Sequence, residues 1–349
     1  MTELSSRVVR LERAHDLKIE TLAVPEPRPG EILLRMAAGG ICGSDLHYYH
    51  DGGFGLVRVR EPIILGHEMA GRVHALGPGV EGPVAGTLVA VNPSLPCGQC
   101  AFCLAGAPQH CLDMHFLGSA MRMPHEQGGF REWMVIDARR AVAMSDDISA
   151  AEAACTEPLS VCLHALNQAG PVAGKQVIVS GSGPIGVLVV AVARMAGARE
   201  IVATDIEDAA LAISQRMGAT RTVNVRANPG GLDADKRDKG QFDVAFECSG
   251  NQAAIATNIA VLRPRGTLVQ VGIAGEATLP LSQLVGKEIV LRGSQRFHPE
   301  FAWAAELISS GRIDVRPMIT ASFAISDAVA AFELAGDRSR ACKVQLTLA

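Results

Sequence analysis

The densest chemistry in this sequence is carried by thiols. Of its nine cysteines, four fall in the short stretch Pro96–Cys111: Cys97, Cys100, Cys103 and Cys111, spaced C-x2-C-x2-C-x7-C. Four thiolates at that spacing can wrap one tetrahedral zinc, and Gly98, Gly106 and Pro108 let the backbone fold round it. No ligand position is left open, so such a zinc is structural. Iron–sulfur clusters also take four cysteines, but their bacterial spacing carries three residues and a Cys-Pro at its end, unlike this run. Four unliganded core thiols would need apolar surroundings, and a hydrophilic, Gly-rich loop offers none.

A second group is scattered: Cys42 in Gly40-Ile41-Cys42-Gly43-Ser44-Asp45, His67 in Gly66-His67-Glu68, and Glu157 in Thr156-Glu157-Pro158. Each alone reads as a small core thiol, a satisfied histidine or a surface carboxylate. What sets them apart from those readings is their company: sulfur, nitrogen and oxygen donors in one chain are the donor types of metal sites. A third motif, Gly181-Ser182-Gly183-Pro184-Ile185-Gly186, follows an apolar run and opens a helical one. In that context Gly181 permits the turn, Gly183 admits a pyrophosphate and Gly186 packs helix on strand, with Pro184 and Ile185 beginning the helix whose N-terminus attracts phosphate. Asp205 ends the next strand, where a carboxylate binds the adenosine ribose hydroxyls. That carboxylate repels a 2′-phosphate, and Ile206 and Glu207 supply no adjacent cation, so NAD is favoured over NADP. The alternative is that Asp205 only caps the following helix.

These groups need a frame. With 349 residues and 48% apolar content, the chain is long enough for two cores. From Val24 to Asp137 it is dense in Gly and Pro, with short runs such as Glu31–Arg35 and Thr87–Val91 that read as strands between functional loops. Past Ser149 the pattern becomes an alternation of strand and helix, with strands expected at Val177–Ser180, Ile201–Thr204, Thr222–Val225, Asp243–Glu247, Thr267–Val271 and Ile289–Arg292. Such alternation predicts an α/β fold with a doubly wound, parallel six-stranded sheet. A helix near Glu300–Ser310 follows, and a strand at Lys343–Thr347 is expected to rejoin the first domain. The net charge of −4, from interspersed acids and bases, excludes a nucleic-acid footprint. There is no signal-peptide run and no apolar stretch of membrane length, so a cytoplasmic protein with reduced thiols is expected. Ile289–Arg292 would form an exposed sheet edge, which invites a second subunit.

The order Gly-Ile-Cys-Gly-Ser-Asp, Gly-His-Glu, four-cysteine lobe, Glu-Pro-Leu-Ser and Gly-x-Gly-x-x-Gly resembles the sorbitol (polyol) dehydrogenase branch of the zinc-dependent medium-chain dehydrogenases over nearly the whole chain. The resemblance implies a mostly β, GroES-like catalytic domain over 1–152 and 293–349, and a Rossmann NAD-binding domain over 153–292. It implies a catalytic zinc on Cys42, His67 and Glu68, with Glu157 at the remaining position directly or through water, and Asp45 orienting the ligands. Glu157 stands where ordinary alcohol dehydrogenases have a cysteine, which points to the polyol branch. By the same resemblance Ser44 takes the substrate proton and passes it to His47, although Ser44 also reads as a turn hydroxyl, and Ser249, Val271 and Gly272 lie near the nicotinamide. Phe116–Arg122 with Pro124-His125, and Leu291–Phe297, are similar to L-idonate 5-dehydrogenases. A sugar acid differs from a polyol by one carboxylate, and Arg122, His125 and Arg296 are the candidates to bind it; alternatively Arg122 is solvated and Arg296 serves the coenzyme or relay. The implied reaction is oxidation of L-idonate to 5-keto-D-gluconate by a dimer or tetramer. A sorbitol or xylitol dehydrogenase is the neighbouring reading. A non-catalytic dinucleotide-binding protein is the distant one, and it would have been expected to lose the open-site ligands.

Overall fold

The computed structural model describes residues 4–273 and 275–348. Its six parallel strands lie in the order Arg221–Asn224, Glu200–Asp205, Gln176–Ser180, Phe242–Glu247, Leu262–Gln270, Val290–Gly293. The order reverses between Gln176–Ser180 and Phe242–Glu247, the point at which doubly wound sheets open a crevice for ligands. Each strand falls within a residue or so of its expected position except Leu262–Gln270, which starts earlier because Leu262 pairs with Phe242 across an irregularity before Val244. The inner strands are continuous apolar runs because both faces are covered: Val177, Ile178 and Val179 are all fully buried. Val290–Gly293 is the edge, and all four of its residues are exposed.

The helix Pro184–Met195 begins with proline at its first position, where the fixed φ suits the helix and the missing N–H costs nothing. Val187, Leu188, Val189 and Val190 are fully buried. Thr156–Ala169 is buried along almost its whole length because it lies against both Pro184–Met195 and Glu300–Ser309.

A seven-stranded sheet runs in the order Ala141–Ala143, Leu88–Val91, Glu68–Leu76, Glu31–Gly40, Lys343–Thr347, Ile319–Ala324, with Trp133–Asp137 also pairing Glu31–Gly40. The strand expected at Glu31–Arg35 continues to Gly40, held by its partners: Gly40 is opposite Glu68 on one side and Gln345 on the other. The C-terminal strand thereby reaches the same sheet end as Cys42 and His67. No helix among the described residues is long and apolar enough to cross a membrane.

Candidate active site and coenzyme cleft

Cys42 precedes the helix Gly43–Asp51, and its N–H donates to Asp45 Oδ2 at 3.0 Å. His67 and Glu68 enter the strand Glu68–Leu76. One ligand atom each from Cys42, His67 and Glu68 lies within 4.8 Å of the other two. His67 is buried, and its Nδ1 has no hydrogen-bond partner, with Asp45 Oδ1 3.6 Å away. Burial opposes a charged His67, but Asp45 and Cys42 outweigh it and hold the imidazole well above its ordinary pKa. A buried imidazole whose Nδ1 faces Asp45, set beside a thiol and a carboxylate, fits a zinc ion held by one atom from each of the three residues. Glu157 is not within that set of three. It is buried in the first turn of Thr156–Ala169, and burial pushes its carboxyl up to about 7, against the opposing charges of His67, Lys343 and Arg296.

Sequence reasoning missed Lys343. Its side chain is buried, and Nζ donates to Glu68 Oε1 at 2.8 Å, to Glu68 Oε2 at 2.7 Å and to the Ile41 carbonyl at 3.0 Å. A Cβ at position 40 would come within 2.1 Å of Glu68 Oε2, so only glycine admits the carboxylate there. The available signal was a lysine opening the buried run Lys343–Leu346. Ser44 is half-buried in the first turn of Gly43–Asp51; His47, three residues on, is exposed and bonds Asp51 Oδ2 through Nδ1 at 3.1 Å.

Ligand atoms of Cys97, Cys100, Cys103 and Cys111 also lie within 4.8 Å of one another. Gly98 and Gly106 have φ of 73° and 76°, the left-handed turns that bend the loop round the sulfurs. The N–H groups of Cys97 and Asp113 donate to Cys111 Sγ at 3.2 and 3.3 Å, and backbone donors from Leu112 and Cys103 pull the Cys100 thiol well down. Donors aimed at sulfur favour thiolates, the form that binds metal.

A cleft of about 520 Å³ lies between this lobe and the segment after the coenzyme sheet, lined by Phe102, His110, Met114, Met121, Gln295 and Arg296. The expectation for Arg122 is corrected: its guanidinium grips Asp113, and Nε lies 3.7 Å from Glu126, so its charge is already balanced. His125 is also corrected. It is buried, Nε2 accepts the Arg60 N–H at 2.9 Å and Nδ1 bonds the Arg122 carbonyl at 2.7 Å, leaving no ring nitrogen for a substrate. Arg296 differs from both. Its backbone is left-handed at φ 51°, its guanidinium stands 4.4 Å over the Phe116 ring, and no carboxylate lies within 4.0 Å of it among the described residues. Burial lowers its pKa, while the charge of Glu157 works against that shift.

In the glycine motif, a Cβ on Gly186 would meet Gly181 O at 1.7 Å, which is the close helix–strand approach the motif serves. At Gly183, the N-terminal cap of Pro184–Met195, a Cβ would meet nothing within 4 Å: the loop opens on free space at a helix N-terminus, a cradle suited to pyrophosphate. Asp205 Oδ2 accepts the Ser182 N–H at 2.6 Å and Oδ1 accepts those of Ile206 and Glu207 at 2.7 and 3.0 Å. The next helix is Asp208–Arg216, capped at Glu207, so Asp205 stands ahead of it. The sequence neighbours Ile206 and Glu207 bring no cation, but the fold does: Arg226, from beyond the neighbouring strand, pairs with Glu207 at 3.0 Å. Ser249, Val271 and Gly272 gather at the ends of the middle strands around Glu247, whose main-chain oxygen accepts the N–H groups of Val271 and Gly272 and whose carboxylate accepts that of Ser249 at 2.8 Å.

Comparison with known proteins agrees with this architecture. Residues 28–146 match the alcohol dehydrogenase GroES-like domain, and residues 184–310 match the zinc-binding dehydrogenase family. The chain is 42% identical to an L-idonate 5-dehydrogenase (NAD(P)(+)) of Escherichia coli, over 90% of this chain and 91% of that one. It is 36% identical to a sorbitol dehydrogenase of Gallus gallus, over 93% and 92%. The crystal structure of L-idonate 5-dehydrogenase from Escherichia coli superposes with a TM-score of 0.93 at 38% identity, covering 99% of both chains. The chain therefore belongs to the zinc-binding medium-chain alcohol dehydrogenases, in their polyol dehydrogenase branch, and is an enzyme of that class.

Proposed function

We propose that this enzyme reversibly oxidises the C5 hydroxyl of L-idonate to 5-keto-D-gluconate with NAD as hydride acceptor. Cys42, His67 and Glu68 hold the catalytic zinc, with Glu157 as the exchangeable neighbour, and Cys97, Cys100, Cys103 and Cys111 hold the structural one. Zinc at the first site supplies the Lewis acidity that lowers the pKa of the substrate hydroxyl, and NAD accepts the hydride. Asp45 keeps the His67 ring oriented from behind. Ser44 receives the proton and passes it to His47, three residues along the same helix face and open to solvent, where Asp51 steadies the ring. Gly181, Gly183, Pro184, Ile185 and Gly186 receive the pyrophosphate, Asp205 the adenosine ribose, and Ser249, Val271 and Gly272 flank the nicotinamide.

The observation that carries the substrate is Arg296, a partly desolvated guanidinium in the cleft wall, stacked on Phe116 and with no carboxylate partner among the described residues. A fixed arginine recognises a substrate carboxylate with two parallel, charge-assisted hydrogen bonds, a pairing that a neutral polyol cannot make. Likeness to sorbitol dehydrogenases favours the second reading, oxidation of sorbitol or xylitol. NADH formation with L-idonate, sorbitol and xylitol in parallel separates the two: preference for the neutral polyols would refute the sugar-acid assignment and leave the family intact.

The catalytic domain spans 1–152 and 293–349 and the coenzyme domain 153–292. Subunits pair through the exposed edge Val290–Gly293 into a homodimer or homotetramer, supported by the exposure of Val290 and Leu291. The protein works in the cytoplasm, as nine unpaired cysteines befit.

A further inference from the structure

The turns after two neighbouring strands of the coenzyme sheet hold an ion pair beside Asp205. Glu200–Asp205 pairs in parallel with Arg221–Asn224, with Asp205 opposite Asn224, so the chain leaves both strands side by side. Val225 N–H donates to the Asp205 carbonyl at 2.9 Å, and Asn224 Oδ1 accepts the N–H groups of Arg226 and Ala227, both at 3.0 Å. From that fixed turn Arg226 Nη1 reaches Glu207 Oε1 at 3.0 Å, while the Glu207 N–H donates to Asp205 Oδ1. A guanidinium is thus held one contact away from the carboxylate assigned to the adenosine ribose. Its side chain is 61% exposed and that of Glu207 25%, so the cation is the solvent-facing member of the pair. Asp208, the other acid at this rim, is engaged by the Asn224 side chain at 2.7 Å.

We propose that Arg226 is a resident anchor for a 2′-phosphate and that Glu207 is its gate, so that this rim, and not Asp205 alone, sets the balance between NAD and NADP. The inference rests on the dinucleotide reading of the Gly181–Gly186 loop. Asp205 accepts three main-chain N–H bonds, which offset part of its charge and weaken its repulsion of a phosphate. An ion pair as exposed as Arg226–Glu207 is weak, and a phosphate dianion offers the guanidinium a stronger, bidentate partner. Glu207 stays nearby as a repelling charge. The wild-type chain accordingly accepts a 2′-phosphate poorly but measurably.

Calorimetric titration of the full chain with 5′-AMP and adenosine 2′,5′-bisphosphate tests this without relying on turnover. Glu207→Gln is expected to tighten the bisphosphate about fivefold to tenfold, and Arg226→Met to weaken it about tenfold, each leaving 5′-AMP within about twofold. In the double variant most of the gain from Glu207→Gln disappears. An unchanged ratio of the two ligands in Arg226→Met, or a gain that survives undiminished in the double variant, would overturn the assignment. Failure of 5′-AMP to bind any form would overturn the dinucleotide reading and the inference with it.

Discussion

Replacing Lys343 by methionine leaves Glu68 as a buried carboxylate without its cation. Methionine fills nearly the same volume, so the change is mainly electrostatic. Both Glu68 oxygens accept from Nζ, at 2.7 and 2.8 Å, and both side chains are 2% exposed, so water cannot take over the role. Breaking one side of such a pair costs about 3–5 kcal/mol. At roughly 2–4 °C per kcal/mol for a domain of this size, metal-free Lys343→Met should melt about 6–20 °C below the parent. The assay is thermal unfolding by circular dichroism after exhaustive chelation, repeated with zinc restored. Zinc supplies a second positive charge to Glu68, so the deficit should shrink in the loaded protein. Glu68→Gln in the same background removes the stranded charge, and the double variant should be more stable than the sum of the single effects predicts. A metal-free Lys343→Met that melts within about 2 °C of the parent, or strictly additive single effects, would refute the account of Lys343 as the counter-charge of Glu68.

Arg296→Met should raise KM for L-idonate about 10- to 100-fold and change KM for sorbitol little, whereas Arg122→Met should spare both, because Arg122 is spent on Asp113; steady-state kinetics on the two substrates decide it. Cys100→Ser should lower bound zinc from about two ions to about one per chain by elemental analysis, with the remaining ion at the Cys42–His67–Glu68 site. Glu300 titrates well below its ordinary 4.5, at about 2, because hydrogen bonds from His164, the His298 N–H and Asn167 outweigh the burial that opposes its charge. Its folded pKa is depressed, so its contribution of about 3 kcal/mol is present above about pH 4.5 and fades as pH falls toward about 2; unfolding free energies from denaturant titration should fall by that much more in the parent than in Glu300→Gln over this range.

The coenzyme sheet was legible because its strands are apolar runs punctuated by glycine, and burial on both faces demands that pattern. The cysteine lobe was legible because all its donors lie in one short loop. What escaped reading depends on partners far apart in sequence. Arg35 to Gly40 ends in small residues with little preference for strand, and pairing with Glu68–Leu76 and Lys343–Thr347 makes it one. Arg122 and Arg296 look alike in sequence, and only the presence of Asp113 beside one separates a neutralised cation from an available one. His125 was misjudged because backbone groups, which no side-chain pattern reveals, occupy both ring nitrogens. Arg226 was overlooked because parallel pairing, not sequence proximity, brings it to Glu207.

The bond between Lys343 and Glu68 spans 275 residues. Cys42, His67 and Glu68 leave the ribosome early, yet the charge that lets Glu68 be buried arrives only with the last strand of the sheet. A nascent or truncated chain therefore carries every donor of the catalytic cluster without a finished pocket to seat them. Arrival of the strand Lys343–Thr347 becomes a checkpoint for assembling the centre, and a chain cut before Lys343 is expected to fail at metal loading while its coenzyme sheet, which is complete by Gly293, still forms.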